Sequence, residues 1–133
     1  MLKLEIVTPE KRVLNADVDS VTIPTATGEA GILPNHAPLI SALKPGILTY
    51  TVKGSMERLV VSGGFVEVNA DKVAVLADSA EASGEINADA ARADREAAEK
   101  LLAAAATAPV EETEAIRERI ENANAKLQLV IGK

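Results

Sequence analysis

The residue grammar of this chain changes once, near Gly84, and that change limits the folds open to it. Residues 1–84 hold seven of the eight glycines, five of the six prolines and most of the valine and isoleucine. Residues 85–133 are dense in Ala, Glu and Arg. Net charge divides evenly between the two segments, so backbone preference, not charge, separates them. β-Branched residues punctuated by Gly and Pro favour strands and turns. Alanine with long charged side chains favours helix. The order predicts an α+β chain of two parts, a strand-rich unit over 1–84 and a helical unit over 85–133.

Within the first part, Leu2, Leu4 and Ile6 alternate with Lys3 and Glu5, the period of a half-buried strand. Thr8-Pro9-Glu10-Lys11 reads as a turn, and Val13-Leu14 and Val18 to Ile23 as further short strands. Gly46 to Val52 and Met56 to Ser62 flank Lys53-Gly54-Ser55, a hairpin signal; Phe65 to Val68 and Lys72 to Leu76 flank Asn69-Ala70-Asp71, another. Roughly eight short strands at this spacing predict a β-sandwich or barrel. Gly63-Gly64 lies inside a strand-like run and predicts a bulge or the close approach of another backbone. Thr27-Gly28-Glu29-Ala30-Gly31 reads either as a loop tip open to another backbone or as an ordinary polar turn.

In the second part Asn87 is placed to cap a helix whose first turn carries Asp89. Ala90, Ala93, Ala97, Leu101, Ala104 and Ala108 share one helical face, the expected inner one. Pro109 ends this helix and starts a second, in which Ile116, Ile120, Ala123, Leu127 and Val130 recur at steps of three and four. An antiparallel helical hairpin follows. Each buried methyl stabilises by only ~0.8 kcal/mol, so the helices are locally favoured but weakly docked. That combination suits a switch; it also suits a plain hairpin that pads the sandwich.

Chemistry is hard to find. With no Cys and one His, neither thiol catalysis nor a zinc site is expected. A net charge of -6 and 2% aromatic residues argue against a nucleic-acid partner. Residues 1–12 read as strand and turn, not as a signal or transit peptide. No apolar run approaches the ~18 residues of a membrane span, so any membrane association is expected to be indirect. Phosphate-binding and nucleophile-elbow motifs are absent. His36, in Pro34-Asn35-His36-Ala37-Pro38, has no second catalytic group indicated and reads as a structural or interface residue. On residues alone the chain is a binding or regulatory protein rather than an enzyme.

Two stretches are specific enough to carry a resemblance. Gly28-Glu29-Ala30-Gly31-Ile32-Leu33-Pro34-Asn35-His36-Ala37-Pro38-Leu39, continuing through Leu43-Lys44-Pro45-Gly46, resembles a loop of the F-type ATP synthase epsilon subunit family. Ser62-Gly63-Gly64-Phe65-Val66-Glu67-Val68, followed by Val73-Ala74-Val75-Leu76-Ala77-Asp78, resembles it too. The resemblance implies a sandwich of about ten strands that docks on the gamma subunit and on the c-ring, and a hairpin that folds on the sandwich or extends towards the alpha and beta subunits to inhibit ATP hydrolysis. It implies a non-catalytic rotor-stalk subunit, peripheral on the cytoplasmic face of a bacterial membrane or on a plastid thylakoid, with no required cofactor. Position by position, Glu29 matches the acidic residue at the c-ring, with Gly28, Gly31 and His36 beside it. Ala88-Asp89-Ala90-Ala91-Arg92-Ala93 resembles the family's ATP-binding motif but has Ala88 where a larger aliphatic belongs. Asp89, Arg92 and Lys126 are thereby implied for ATP as a regulatory ligand. Arg117 and Arg119 are implied as inhibitory contacts with the beta subunit. The rival reading is an ATP- or anion-sensing module that uses the hairpin alone.

Overall fold

The structure, a computed structural model, describes residues 1–34 and 37–130. Among these, ten strands precede two helices: β1 (Leu2–Val7), β2 (Arg12–Val18), β3 (Ser20–Thr25), β4 (Gly28–Ile32), β5 (Leu39–Ala42), β6 (Gly46–Val52), β7 (Ser55–Ser62), β8 (Phe65–Asn69), β9 (Lys72–Leu76), β10 (Ser79–Ala82), α1 (Ala88–Ala104) and α2 (Val110–Val130). The strands make two five-stranded sheets. The first runs β2-β1-β9-β8-β5 and the second β10-β7-β6-β3-β4.

The alternation read in β1 holds: Leu2, Leu4 and Ile6 are fully buried. They meet the inward residues of the other strands, including Val66, Val68, Val73 and Val75 from the first sheet and Ile23, Leu48 and Val61 from the second. Each such side chain taken from water stabilises by about 1.5–3 kcal/mol. The core is aliphatic throughout. Tyr50 is only partly buried at its margin, and Phe65 stands outside it. No helical residue belongs to this core cluster.

Both local hairpins form where the turn residues require. Lys53 and Gly54 have φ of 50° and 82°, the left-handed pair of a two-residue turn whose twist matches the strands. Ala70 also has positive φ between β8 and β9. Gly63 and Gly64 join β7 to β8 rather than bulging a strand. A Cβ on Gly64 would lie 1.8 Å from the Leu76 carbonyl oxygen, so the expected close approach of another backbone is present.

Four readings are corrected. Residues 28–31 form strand β4, not a loop tip or turn; the turn falls at Ala26-Thr27, where the Thr25 hydroxyl donates to the Gly28 carbonyl. The strands number ten, as the resemblance implies, where periodicity alone reads roughly eight because β5 and β10 are too short to show a period. The alanine face Ala90, Ala93, Ala97, Leu101 and Ala104 is exposed, and Ala108, half-buried, lies beyond α1, which ends at Ala104 rather than at Pro109. Instead Ala91 and Ala98 are buried. A helix with alanine on every side has no unique apolar stripe, so polar cross-links choose its face: Arg119 Nε donates to Asp94 Oδ1 at 2.8 Å and Arg95 Nη1 to Asn124 Oδ1 at 3.2 Å. Finally, α2 has two buried stripes. Ile116, Ile120, Ala123, Leu127 and Val130 are buried or half-buried as expected. Ala125 and Leu129, on another face, pack on Val60 with Ile47 and Ile86. Asn87 caps α1 as read, its Oδ1 accepting the Ala90 N–H at 3.0 Å.

Candidate functional site

The strand β4 is an edge of the second sheet, so one row of its backbone groups is free of strand partners. Gly28, Glu29 and Gly31 are all exposed on it. Gly28 has φ of 121°, which favours glycine, whereas a Cβ at Gly31 would meet nothing within 4 Å. Internal packing therefore does not account for Gly31, and a second molecule can approach its backbone closely. Leu33 follows, exposed. His36 lies outside the described residues. Glu29 also lines a cleft of about 320 Å³ with Ile47 and, from α2, Glu121, Asn124, Ala125 and Gln128. The edge strand and the docked hairpin are thus neighbours.

A second surface was missed in the sequence. Across the outer face of the first sheet, Ala42 pairs with Phe65, Phe65 with Leu76 and Leu76 with Val7. This apolar row crosses four strands. Phe65 and Leu76 are 59% and 56% exposed, and Ile40 on β5 is 73% exposed. The signal was present: β8 and β9 carry apolar residues at outward as well as inward positions, and an outward Phe or Leu has nothing to bury it within the chain. The outer face of the second sheet differs, because α2 covers it through Val60 and Ile47.

The charged residues singled out on the hairpin do not meet at one point. Arg92 Nη1 bonds Asp89 Oδ1 at 2.9 Å, one turn apart on α1. Lys126 Nζ lies 2.8 Å from Glu81 Oε1 on β10. Arg117 folds back on its own helix, donating from Nη2 to the Val110 carbonyl at 2.9 Å and from Nη1 to the Thr113 hydroxyl. Arg119 reaches across to Asp94, whose hydrogen bond and then whose charge raise the pKa of the guanidinium. Among the described residues no cluster of His, Cys, Asp or Glu is arranged to hold a metal. No described helix is long and apolar enough to cross a membrane.

With two sheets, an exposed edge strand, an uncovered apolar face and a helical hairpin in place, comparison with known proteins settles the family. The model for the ATP synthase Delta/Epsilon chain beta-sandwich domain matches residues 1–83. The chain belongs to the ATP synthase epsilon chain family. Its relatives include the epsilon chains of Carboxydothermus hydrogenoformans, 52% identical over 77% of this chain and 76% of that one, and of Desulfitobacterium hafniense strain Y51, 50% identical over 74% and 75%. The epsilon chain of Nitratidesulfovibrio vulgaris strain DP4 is 44% identical over 96% of this chain and 87% of its own, hairpin included. Among solved structures, a chain of the Euglena gracilis mitochondrial ATP synthase, in an OSCP/F1/c-ring structure, superposes with a TM-score of 0.76 at 28% identity, covering 95% of this chain and 81% of that one. A chain of the Tetrahymena thermophila central stalk and c-ring structure shares the fold, with a TM-score of 0.56 at 24% identity over 66% and 71%. As an epsilon chain, the protein is a non-catalytic subunit of an ATP synthase.

Proposed function

We propose that this epsilon chain couples and regulates as part of the central rotor stalk, with the work divided between residues 1–84 and 85–133. The sandwich docks: the outer face of its first sheet lies on the gamma subunit, and the β4 edge, with Gly28, Glu29 and Gly31, rests on the c-ring. The hairpin regulates, leaving the second sheet to extend towards the alpha and beta subunits, where Arg117 and Arg119 act. The observation that carries this reading is the apolar row Ala42-Phe65-Leu76-Val7. The only phenylalanine of the chain stands in solvent on the face opposite the hairpin. An exposed aromatic inside an apolar row is an expected anchor for a protein partner. Through the ring the chain sits peripherally at the membrane, on the cytoplasmic face in a bacterium, as the bacterial relatives suggest.

ATP as a regulatory ligand has weaker support. Arg92 is bridged to Asp89 and Lys126 to Glu81, so a triphosphate must displace Asp89 to gain Arg92 and Glu81 to gain Lys126.

The test is ATP hydrolysis by an epsilon-depleted catalytic complex, with the full chain or residues 1–84 added back. The full chain is expected to bind and inhibit; residues 1–84, which contain the whole core cluster, are expected to bind without inhibiting. Binding without inhibition by both would remove the regulatory role. Failure of both to bind gamma would remove the docking role.

A further inference from the structure

The contact between hairpin and sandwich is small and half polar. On α2 the residues at Asn122, Ala125, Lys126 and Leu129 follow the 3-4 spacing of one helical face. Ala125 and Leu129 cover Val60. On the second sheet, Glu81 of β10 is the cross-strand partner of Val60 on β7, and Val60 is the partner of Ile47 on β6. Glu81, Val60 and Ile47 therefore form one row beneath α2, charged at one end and apolar at the other. Lys126 lies over the charged end, 2.8 Å from Glu81, with side chains only 25% and 32% exposed. Among the described residues the other ion pairs lie within the strands or within the hairpin, or join Lys11 to Glu85 before α1. Beside Lys126 on the same helical face, the buried Asn122 Oδ1 has no hydrogen-bond partner.

We propose that Glu81 and Lys126 form an ionic latch which holds α2 on the second sheet and makes release of the hairpin depend on salt and on competing charge; this rests on the reading of the hairpin as mobile. Three features of the face fit a contact made to be broken. Its apolar part is Leu129 and Ala125 on Val60, with Ile47 and Ile86 packed against them, a small patch that does not hold a helix irreversibly. Its polar part is solvated readily on release, so the freed face exposes no large apolar patch. The unpartnered Asn122 oxygen, one turn from Lys126, adds nothing to the docked state. By contrast the α1–α2 contact is more extensive than that of α2 with the sheet and carries its own polar cross-links. The hairpin therefore leaves as a unit. A half-buried pair is screened less than an exposed one, yet its attraction still falls as ionic strength rises.

The chain lacks cysteine, so labels at Ser55→Cys and Thr107→Cys report the distance from the sandwich to the hairpin turn in the full chain. Raising salt from about 0.05 to about 0.5 M is expected to increase the released-to-docked ratio about threefold. Glu81→Gln is expected to raise that ratio about fivefold at low salt and to flatten the salt response. The exchange Glu81→Lys with Lys126→Glu restores both docking and salt dependence. If Glu81→Gln leaves the ratio and its salt response unchanged while Leu129→Asp releases the hairpin, the latch is wrong and the mobile hairpin stands. If Leu129→Asp does not release it either, both ideas fall.

Discussion

Phe65 on β8 and Leu76 on β9 are cross-strand partners, and both project into solvent from the outer face of the first sheet. Such a pair contributes little to the fold and much to a partner that covers it. Phe65→Ser and Leu76→Ser are expected to change unfolding free energy by no more than about 0.5 kcal/mol each. The same variants should weaken binding to the gamma subunit by about tenfold or more. Urea titration and binding measurements on the same preparations separate the two effects. A large loss of stability with unchanged binding would assign these residues to the fold.

Glycine substitutions divide by what a Cβ would meet. At Gly64 it would overlap the Leu76 carbonyl oxygen, at a φ of 90°. Gly64→Ala is expected to cost about 2–4 kcal/mol. At Gly31 a Cβ meets open space, so Gly31→Ala should leave the isolated chain's stability within about 0.5 kcal/mol and reduce retention of the c-ring on the assembled stalk. Equal denaturation midpoints for the two variants would contradict the geometry.

Arg119 is held by Asp94 while the hairpin is closed, Nη2 to Oδ1 at 2.6 Å. Both side chains remain partly exposed, so solvent screens the bridge and it adds little to stability. Arg119→Glu together with Arg117→Glu should relieve inhibition of ATP hydrolysis. Asp94→Asn, which frees the guanidinium without removing it, should retain inhibition. Hydrolysis assays on reconstituted complexes decide: relief by Asp94→Asn as well would place the effect in hairpin folding and not in a contact with the beta subunit.

Tyr50 titrates above its ordinary value of 10.0, first through burial and then through the negative charge of Glu57, its cross-strand partner. The folded chain favours the neutral phenol, so its contribution to stability is complete below the unfolded pKa. That contribution is lost as pH rises through the higher, folded one. Because the chain has one tyrosine, near-ultraviolet absorbance reads this group alone. Its midpoint should lie above that of the chain in denaturant and fall in Glu57→Gln. Tyr50→Phe should lose less stability than wild type between neutral pH and the alkaline limb.

What the sequence determined by itself was local. Lys53-Gly54 and the Asn69 to Asp71 stretch made hairpins because their backbone angles and short spans leave few alternatives, and Asn87 capped α1 through bonds within one turn. The aliphatic alternation of β1 and the start of α2 after Pro109 were legible for the same reason, as was the family resemblance around Gly28 and Gly63; the end of α1 was not, because it falls at Ala104. What only the tertiary structure decided was which surfaces meet. The parallel pairing of β1 with β9 joins segments about seventy residues apart, and no local signal selects it over another partner. Strand β4 exists because β3 offers it an edge, where the same glycines read alone suggest a turn. Alanine on every side of α1 left its buried face open until Asp94 and Arg95 found Arg119 and Asn124. The docking face of α2 was hidden because half of it is polar: Lys126 looks like a solvent residue until Glu81 lies beneath it. Periodicity reports burial only where one element's own pattern is sufficient to choose a face. Where two elements share that choice, through pairing distant in sequence or through a charge completed by its partner, the fold makes it.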